Sequence, residues 1–513
     1  MILGQIHSTL QTLDWIVIFV YFVFIVILGL FFAKKQKTSE RYFLANRSLP
    51  GWAVGMSIFA TIISSWTFLA IPGKSFKSDL QYFITVILIP ITALLICMVI
   101  IPVFRNKIRL SAYKYLEHRF GILARIYGDI GFILNHFFKM AMVLYLLCLA
   151  VAGVTGWNIF TLIILIGIAT ITYTLFGGIE AVIWTDVIQG TLLICGGVIA
   201  LFFLIFKSPI PPAQFFETAY NAGKLKLANF SFNFKDISFY VLLLFGFNHY
   251  ATKYCTDQTV VQRYLLSKST KQAYRSLWTS VALILLVWVV FMLIGALLWV
   301  FYDIQSELLP PEVRAKPDQV FAFFIGSQLP AGITGILLAG LFAATMSTLS
   351  SDLNSLAAVI LEDFYNMIKP NTKDKTKLLF SRLTVLVTGI CSIILAMSMT
   401  KIESMVETFF DVSSILAGGL LAMFLLGLLT KRARKTGVYI ALAVGVLFIT
   451  WATITDLYPN FFKRHNIPLF EMNILWLGLL GNIIVFVTGY AASVILTPNY
   501  RADESLTIYK SKT

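Results

Sequence analysis

Apolar runs of roughly 20 residues alternate with short polar connections along most of the chain, and a run of that length spans a bilayer as a helix. The pattern predicts spans at 14–33, 51–72, 81–104, 127–152, 158–177, 179–206, 236–256, 276–302, 328–361, 380–400, 405–430, 436–455 and 471–496, about 13 transmembrane helices in an all-α polytopic membrane protein. Two spans depart from plain hydrophobicity. Residues 51–72 and 328–361 carry many hydroxyl and small residues, as a broken or hydrated helix does.

Composition agrees with that reading. Of 513 residues, 58% are hydrophobic and 13% charged, too few polar groups to cover a soluble protein of this length. The net charge of +15 does not indicate nucleic acid, because Lys and Arg sit in short connections between apolar runs. With the N-terminus outside, the inward connections hold about 27 of the 40 basic residues, so the positive-inside bias predicts N-out and C-in in the cell inner (plasma) membrane. Segments 208–235 and 303–327 then become external loops, and 497–513 a cytoplasmic tail. No cleavable signal is expected: the run from Trp15 to Ala33 is long enough to span and lacks a small-residue cleavage site. No attached output domain and no obligate protein partner is expected either. The five cysteines (Cys97, Cys148, Cys195, Cys255, Cys391) stand singly in apolar segments and read as small packing residues.

The informative positions are polar groups at membrane depth. Residues 339–355 read AGLFAATMSTLSSDLNS, and Ser347, Ser350 and Ser351 share one helix face. Such a face suits either close helix packing or a dehydrated alkali cation. In the second span, Thr61, Ser64, Ser65 and Thr67 lie at mid-depth. There an unwound turn would expose backbone carbonyls, which are good Na⁺ ligands. Lys139 lies roughly 18 Å into its span at the helix rise, where an unpaired charge costs about 3 kcal/mol or more. It reads either as the counter-charge of an anionic substrate or as the partner of an internal carboxylate. Asp186, Asp352 and Asp411 are intramembrane carboxylates, and a buried one needs a cation, a donor set or a proton. Asp352 points about 100° away from Ser351 and need not face the same cavity. His136 and His249 read as core residues. No metal motif and no catalytic Ser/His/Asp spacing occurs, which argues against an enzyme.

Four stretches carry a family likeness. YTLFGGIEAVIWTDVIQG (Tyr173 to Gly190), SAYKYLEHRF (Ser111 to Phe120), DQTVVQRYLLSKS (Asp257 to Ser269) and the MSTLSSDLNS run resemble the sodium:solute symporters. Through GWAVGMSIFATIISSWTFLAIPGKSF and GGIEAVIWTDVIQG the chain is similar to the bacterial sodium/sialic acid members. The resemblance implies a single transporter domain with a LeuT-like inverted repeat of five plus five helices. The leading helix is then 14–33, the first repeat 51–206, the second 236–430, and the two trailing helices lie within 436–496. It also implies a break in the first core helix at residues 61–65.

The resemblance further implies two Na⁺ ions. One would be held by the carbonyls of Ala60, Ile63 and Ala344 and the hydroxyls of Ser347 and Thr348, the other by Asp186, Ser347, Ser350 and Ser351. Substrate positions carry over as Ser64, Thr67 and Lys139, where Lys139 replaces an Arg and loses its bidentate fork. The family's sugar-binding Asn, Gln and Glu positions are Ile62, Thr67 and Val86 here, so that mode of neutral sugar recognition is absent. The expected function is Na⁺-coupled uptake, by alternating access, of a small organic anion such as a sialic acid, another sugar acid or a monocarboxylate. Rivals are a Na⁺-coupled carrier of a sugar or other neutral solute, a proton-coupled carrier and, further off, a membrane-embedded enzyme or a channel.

Overall fold

The computed structural model describes residues 10–107, 111–399 and 418–509. Among them, nine helical runs are long and apolar enough to cross a membrane, and one bent pair makes a tenth. The expected spans 158–177 and 179–206 form one 48-residue run, Ile159–Phe206, that turns at Gly178. Gly178 has φ 57°, where a side chain is strained, and a Cβ there would lie 2.8 Å from the Tyr42 carbonyl oxygen. Span 236–256 appears as Phe239–Thr256. Of span 405–430, the helix Leu420–Leu429 is seen, while residues 405–417, with Asp411, lie outside the described residues.

The bent pair is Gly51–Ile62 and Ser65–Lys77, which meet at 60°. The β-branched run Thr61-Ile62-Ile63 followed by Ser64-Ser65 is a weak helix former, and serine hydroxyls compete for backbone groups. Ile63 (ψ 124°) and Ser64 (ψ −179°) are extended, so the break falls inside the expected 61–65.

The helix Ile333–Val359, here the serine helix, is the core of the molecule. Across its most apolar stretch 89% of residues are buried, against 28% for Thr12–Ala33 and for Ile474–Leu496. It packs on Ile159–Phe206, Ile122–Thr155, Thr12–Ala33 and both halves of the bent pair. Its Gly, Ala, Ser and Thr side chains permit that crowding. It runs antiparallel to Ile122–Thr155: Arg125 Nη2 donates to the Asp363 carbonyl at 2.8 Å, and Lys139 Nζ reaches Asp352 Oδ1 at 2.9 Å.

The leading helix Thr12–Ala33 turns Ile16, Phe19, Val20, Val23 and Ile27 outward. Its inward stripe begins at the buried Asp14. Asp14 Oδ1 accepts from the amides of Gly332 (2.7 Å) and Gly335 (2.8 Å), capping the serine helix where its free N–H groups and positive dipole end favour a carboxylate. Cys97, Cys148 and Cys255 are buried as packing residues. Cys195 and Cys391 are exposed on the outer surface, which corrects the expectation for those two.

Candidate functional site

The break in the bent pair lies against the middle of the serine helix. Ladder bonding stops at Ile63 N–H to Phe59 O (3.0 Å) and resumes at Phe68 N–H to Ser64 O (3.1 Å). The carbonyls between are thereby released from the ladder. Ser347 Oγ donates to one of them, Ala60 O, at 2.9 Å, and lies 3.2 Å from Ala344 O. Thr348 Oγ1 bonds Ala344 O at 3.1 Å. Ala60, Ile63, Ala344, Ser347 and Thr348 are all buried. Four of the five residues expected at the first ion site are thus joined by direct contacts, and Ile63 stands in the break itself. The set is neutral, buried and made of oxygens. A hard cation accepts such ligands, and sodium would displace only weak hydroxyl–carbonyl bonds.

A second group lies beside it. Asp186, on Ile159–Phe206, is buried. Its Oδ2 accepts from Ser57 Oγ at 2.5 Å and from Arg263 Nη2 at 3.1 Å. Arg263 also donates to Ser57 Oγ (2.7 Å), to Thr259 O (2.6 Å) and to Ser351 Oγ. Ser351 Oγ is 3.0 Å from Thr61 Oγ1, which in turn donates to Ser57 O. Asp186 Oδ1 is buried with no hydrogen-bond partner among the described residues. Of the residues expected at a second ion site, Asp186 and Ser351 meet through Arg263. Ser350 Oγ instead donates to Ser347 O at 3.2 Å.

A third group surrounds Lys139. Its ammonium lies 2.9 Å from Asp352 Oδ1, so the internal carboxylate is the reading that the structure realises. His136 Nδ1 meets the same oxygen at 2.8 Å, and its Nε2 lies 3.3 Å from Asp257 Oδ2. Lys253 Nζ closes the chain at 2.6 Å from Asp257. Ser64 starts the second half of the bent pair as its N-cap residue, and Thr67 is buried one turn into it. The neighbouring Ser65 Oγ donates to Val143 O at 3.2 Å, one helical turn from Lys139. The three expected substrate residues therefore lie on adjoining segments, without a direct contact of Ser64 or Thr67 with Lys139.

Sequence reasoning missed Arg263, Ser57, Asp257 and Lys253. The available signal was charge balance: Asp186 required a donor or a cation, and Arg263 lies in one of the quoted motifs. His136 is the buried core residue that was expected, and it bridges two carboxylates.

A model of the sodium:solute symporter family matches residues 42–445. The chain is 31% identical over 501 residues to the sodium/sialic acid symporter NanT of Aliivibrio fischeri, covering 96% of this chain and 95% of that one. It is also 31% identical over 498 residues to the sodium/sialic acid symporter SiaT of Proteus mirabilis, covering 96% and 97%. Among solved structures it is similar to the substrate-bound outward-open state of a Na⁺-coupled sialic acid symporter, which is described as revealing a novel Na⁺ site. The TM-score is 0.87 at 30% identity, covering 96% of this chain and 99% of that one.

Proposed function

Because the chain belongs to the sodium:solute symporter family, a group of Na⁺-coupled membrane carriers, we propose that it imports a sialic acid or a related sugar acid together with two Na⁺ ions. The observation that carries the coupling mechanism is the Ala60 carbonyl, released by the helix break and taken up by Ser347 across the interface. A sodium ion at Ala60, Ile63, Ala344, Ser347 and Thr348 would tie the bent pair to the serine helix and so fix the shape of the solute site beside the break. Asp186 supports the second ion: Arg263 and Ser57 occupy Oδ2, and Oδ1, without a hydrogen-bond partner among the described residues, is the oxygen that would share a cation with Ser347, Ser350 and Ser351. Ser64, Thr67 and Lys139 are the proposed solute contacts, with Lys139 meeting the carboxylate.

The membrane arrangement in this reading has thirteen spans. Counting the run that turns at Gly178 as two, the bent pair as one, and adding Phe239–Thr256 and the span that ends in Leu420–Leu429 supports that number. The leading helix precedes repeats 51–206 and 236–430, two helices trail within 436–496, and the termini lie outside and inside respectively.

Two ions suit an anionic cargo. At about −100 mV each sodium contributes roughly 2.3 kcal/mol, and a tenfold gradient adds about 1.4 kcal/mol. Importing a monoanion against the potential consumes about 2.3 kcal/mol, most of what one sodium supplies. The test is uptake of radiolabelled N-acetylneuraminate by proteoliposomes containing the purified protein. Saturable accumulation that vanishes when choline replaces Na⁺ at fixed pH is expected. Sodium-independent uptake would overturn the coupling, and absence of uptake of any sugar acid would overturn the substrate class.

A further inference from the structure

Asp352 is held unevenly. Its Oδ1 meets two nitrogens, Lys139 Nζ at 2.9 Å and His136 Nδ1 at 2.8 Å, and the imidazole donates in the tautomer that carries its proton on Nδ1. Its Oδ2 is buried with no hydrogen-bond partner among the described residues. An ionised carboxylate in a dry interior must keep at least one charge-assisted partner, but it does not need two on one oxygen. Either donor can therefore leave while the other remains.

The two donors differ in their freedom. His136 is braced from its far side, with Nε2 3.3 Å from Asp257 Oδ2. Asp257 is itself fixed: Lys253 Nζ lies 2.6 Å from Oδ2, and the Thr259 amide and hydroxyl reach Oδ1 at 2.9 and 2.6 Å. Lys139 is held more loosely: beyond Asp352 it has one long contact, Nζ to His136 Nδ1 at 3.4 Å. Its side chain keeps 18% of its surface exposed, and a flexible stem carries its three donors. Asp352 lies just past the serines of the serine helix, and Lys139 one turn from the Ser65–Val143 contact at the break. The pair thus adjoins the proposed solute site.

We propose that Asp352 is a specificity-determining residue: an internal carboxylate seated on Lys139 that an incoming substrate carboxylate must displace, while His136 retains it. This rests on the sugar-acid reading above and names what that site selects. A solute enters only if it brings a carboxylate able to compete for one ammonium. A neutral isostere leaves the Lys139–Asp352 pair closed. The exchange leaves Lys139 paired throughout, so no bare charge is created at membrane depth.

Two substitutions should act in opposite directions. Asp352→Asn keeps the shape but removes the competing charge. His136→Phe keeps a ring in place but leaves Asp352 with Lys139 alone. Binding of N-acetylneuraminate to the purified full-length protein in NaCl would be measured by calorimetry, with neutral N-acetylmannosamine as control. Asp352→Asn should bind the acid about tenfold tighter, the worth of roughly one charge-assisted hydrogen bond. His136→Phe should bind it about fivefold weaker or more on the same scale. The Na⁺ concentration for half-maximal thermal stabilisation should stay put in both, which also reports that they fold. A purely structural role would weaken binding in both variants. The proposal is overturned if the unmodified protein binds the acid and Asp352→Asn binds it no tighter, or if both variants shift the same way. Should Asp352→Asn fail to fold, an unchanged affinity in His136→Phe overturns it. If no sugar acid binds to any form while the neutral sugar does, the pair is a fixed bridge and the sugar-acid reading falls as well.

Discussion

Replacing Asp186 by Asn isolates one charge at the proposed second ion site. The amide oxygen can still accept from Ser57 Oγ and Arg263 Nη2, which now lie 2.5 and 3.1 Å from Oδ2. The scaffold is kept, while Arg263 loses its counter-charge. Breaking a buried pair costs about 3–5 kcal/mol, and the remaining Arg263 bonds to Ser57, Thr259 O and Ser351 offset part of that. The variant should fold with a lowered melting temperature. Its coupling should change far more. Two sodiums at about −100 mV and a tenfold gradient, less the cost of importing a monoanion, leave roughly 5 kcal/mol, a plateau of more than about 10³-fold accumulation. One sodium leaves about 1.4 kcal/mol, or roughly tenfold. The assay is the steady-state ratio of N-acetylneuraminate in proteoliposomes with an imposed potassium potential and a fixed Na⁺ gradient. A plateau falling from above about 10³ to about ten is expected. A folded Asp186→Asn variant with the unmodified plateau would refute the reasoning and leave Asp186 as only the structural partner of Arg263.

Other substitutions probe separate contacts. Ser347→Ala removes the hydroxyl on Ala60 O and should raise the half-saturating Na⁺ about tenfold, with little change in substrate KM at saturating Na⁺; equal changes in both would contradict the assignment. Lys139→Met should raise the KM for sugar acids about tenfold or more and leave the Na⁺ requirement unaltered, whereas equal loss for neutral solutes would mark Lys139 as structural. Asp14→Ala strips the cap from the serine helix and should lower stability by about 1–2 kcal/mol, read as a drop in melting temperature that Asp14→Asn partly restores. Gly178→Ala meets both a positive φ and the Tyr42 carbonyl, so it should destabilise by more than about 1 kcal/mol; unchanged stability would mean the turn relaxes freely.

What could be read from the chain followed local rules. Hydrophobic length gave the helices, because it depends on neighbours in sequence. Hydroxyl content marked both 51–72 and 328–361, but Ile333–Val359 is continuous, and family likeness was needed to place the break at 61–65. The contact of Ser347 with Ala60 was reached only through family likeness, since no local rule joins residues so distant along the chain. Charge pairing was hidden for the same reason. Asp186 was recognised as needing a partner, but nothing in its surroundings points to Arg263, on the short helix Gln258–Leu266 beyond the next span. The 100° rotation of Asp352 from Ser351 indicated a different neighbourhood without naming Lys139 and His136 as its occupants. Exposure of Cys195 and Cys391 was likewise invisible, because a thiol on a lipid face and one in a packed interface have the same apolar neighbours in sequence.

Those two thiols give the molecule a built-in ruler. Cys195 sits on Ile159–Phe206 beyond its turn at Gly178 and Cys391 on Asp374–Met399, which packs on Gly167 and Ile171 before that turn, while the other three cysteines are shielded. A lipid-soluble nitroxide reagent would find this pair first. The separation of its two spin labels, followed as salt is switched, would reveal whether those two helices shift against one another or stay fixed, with no engineered cysteine.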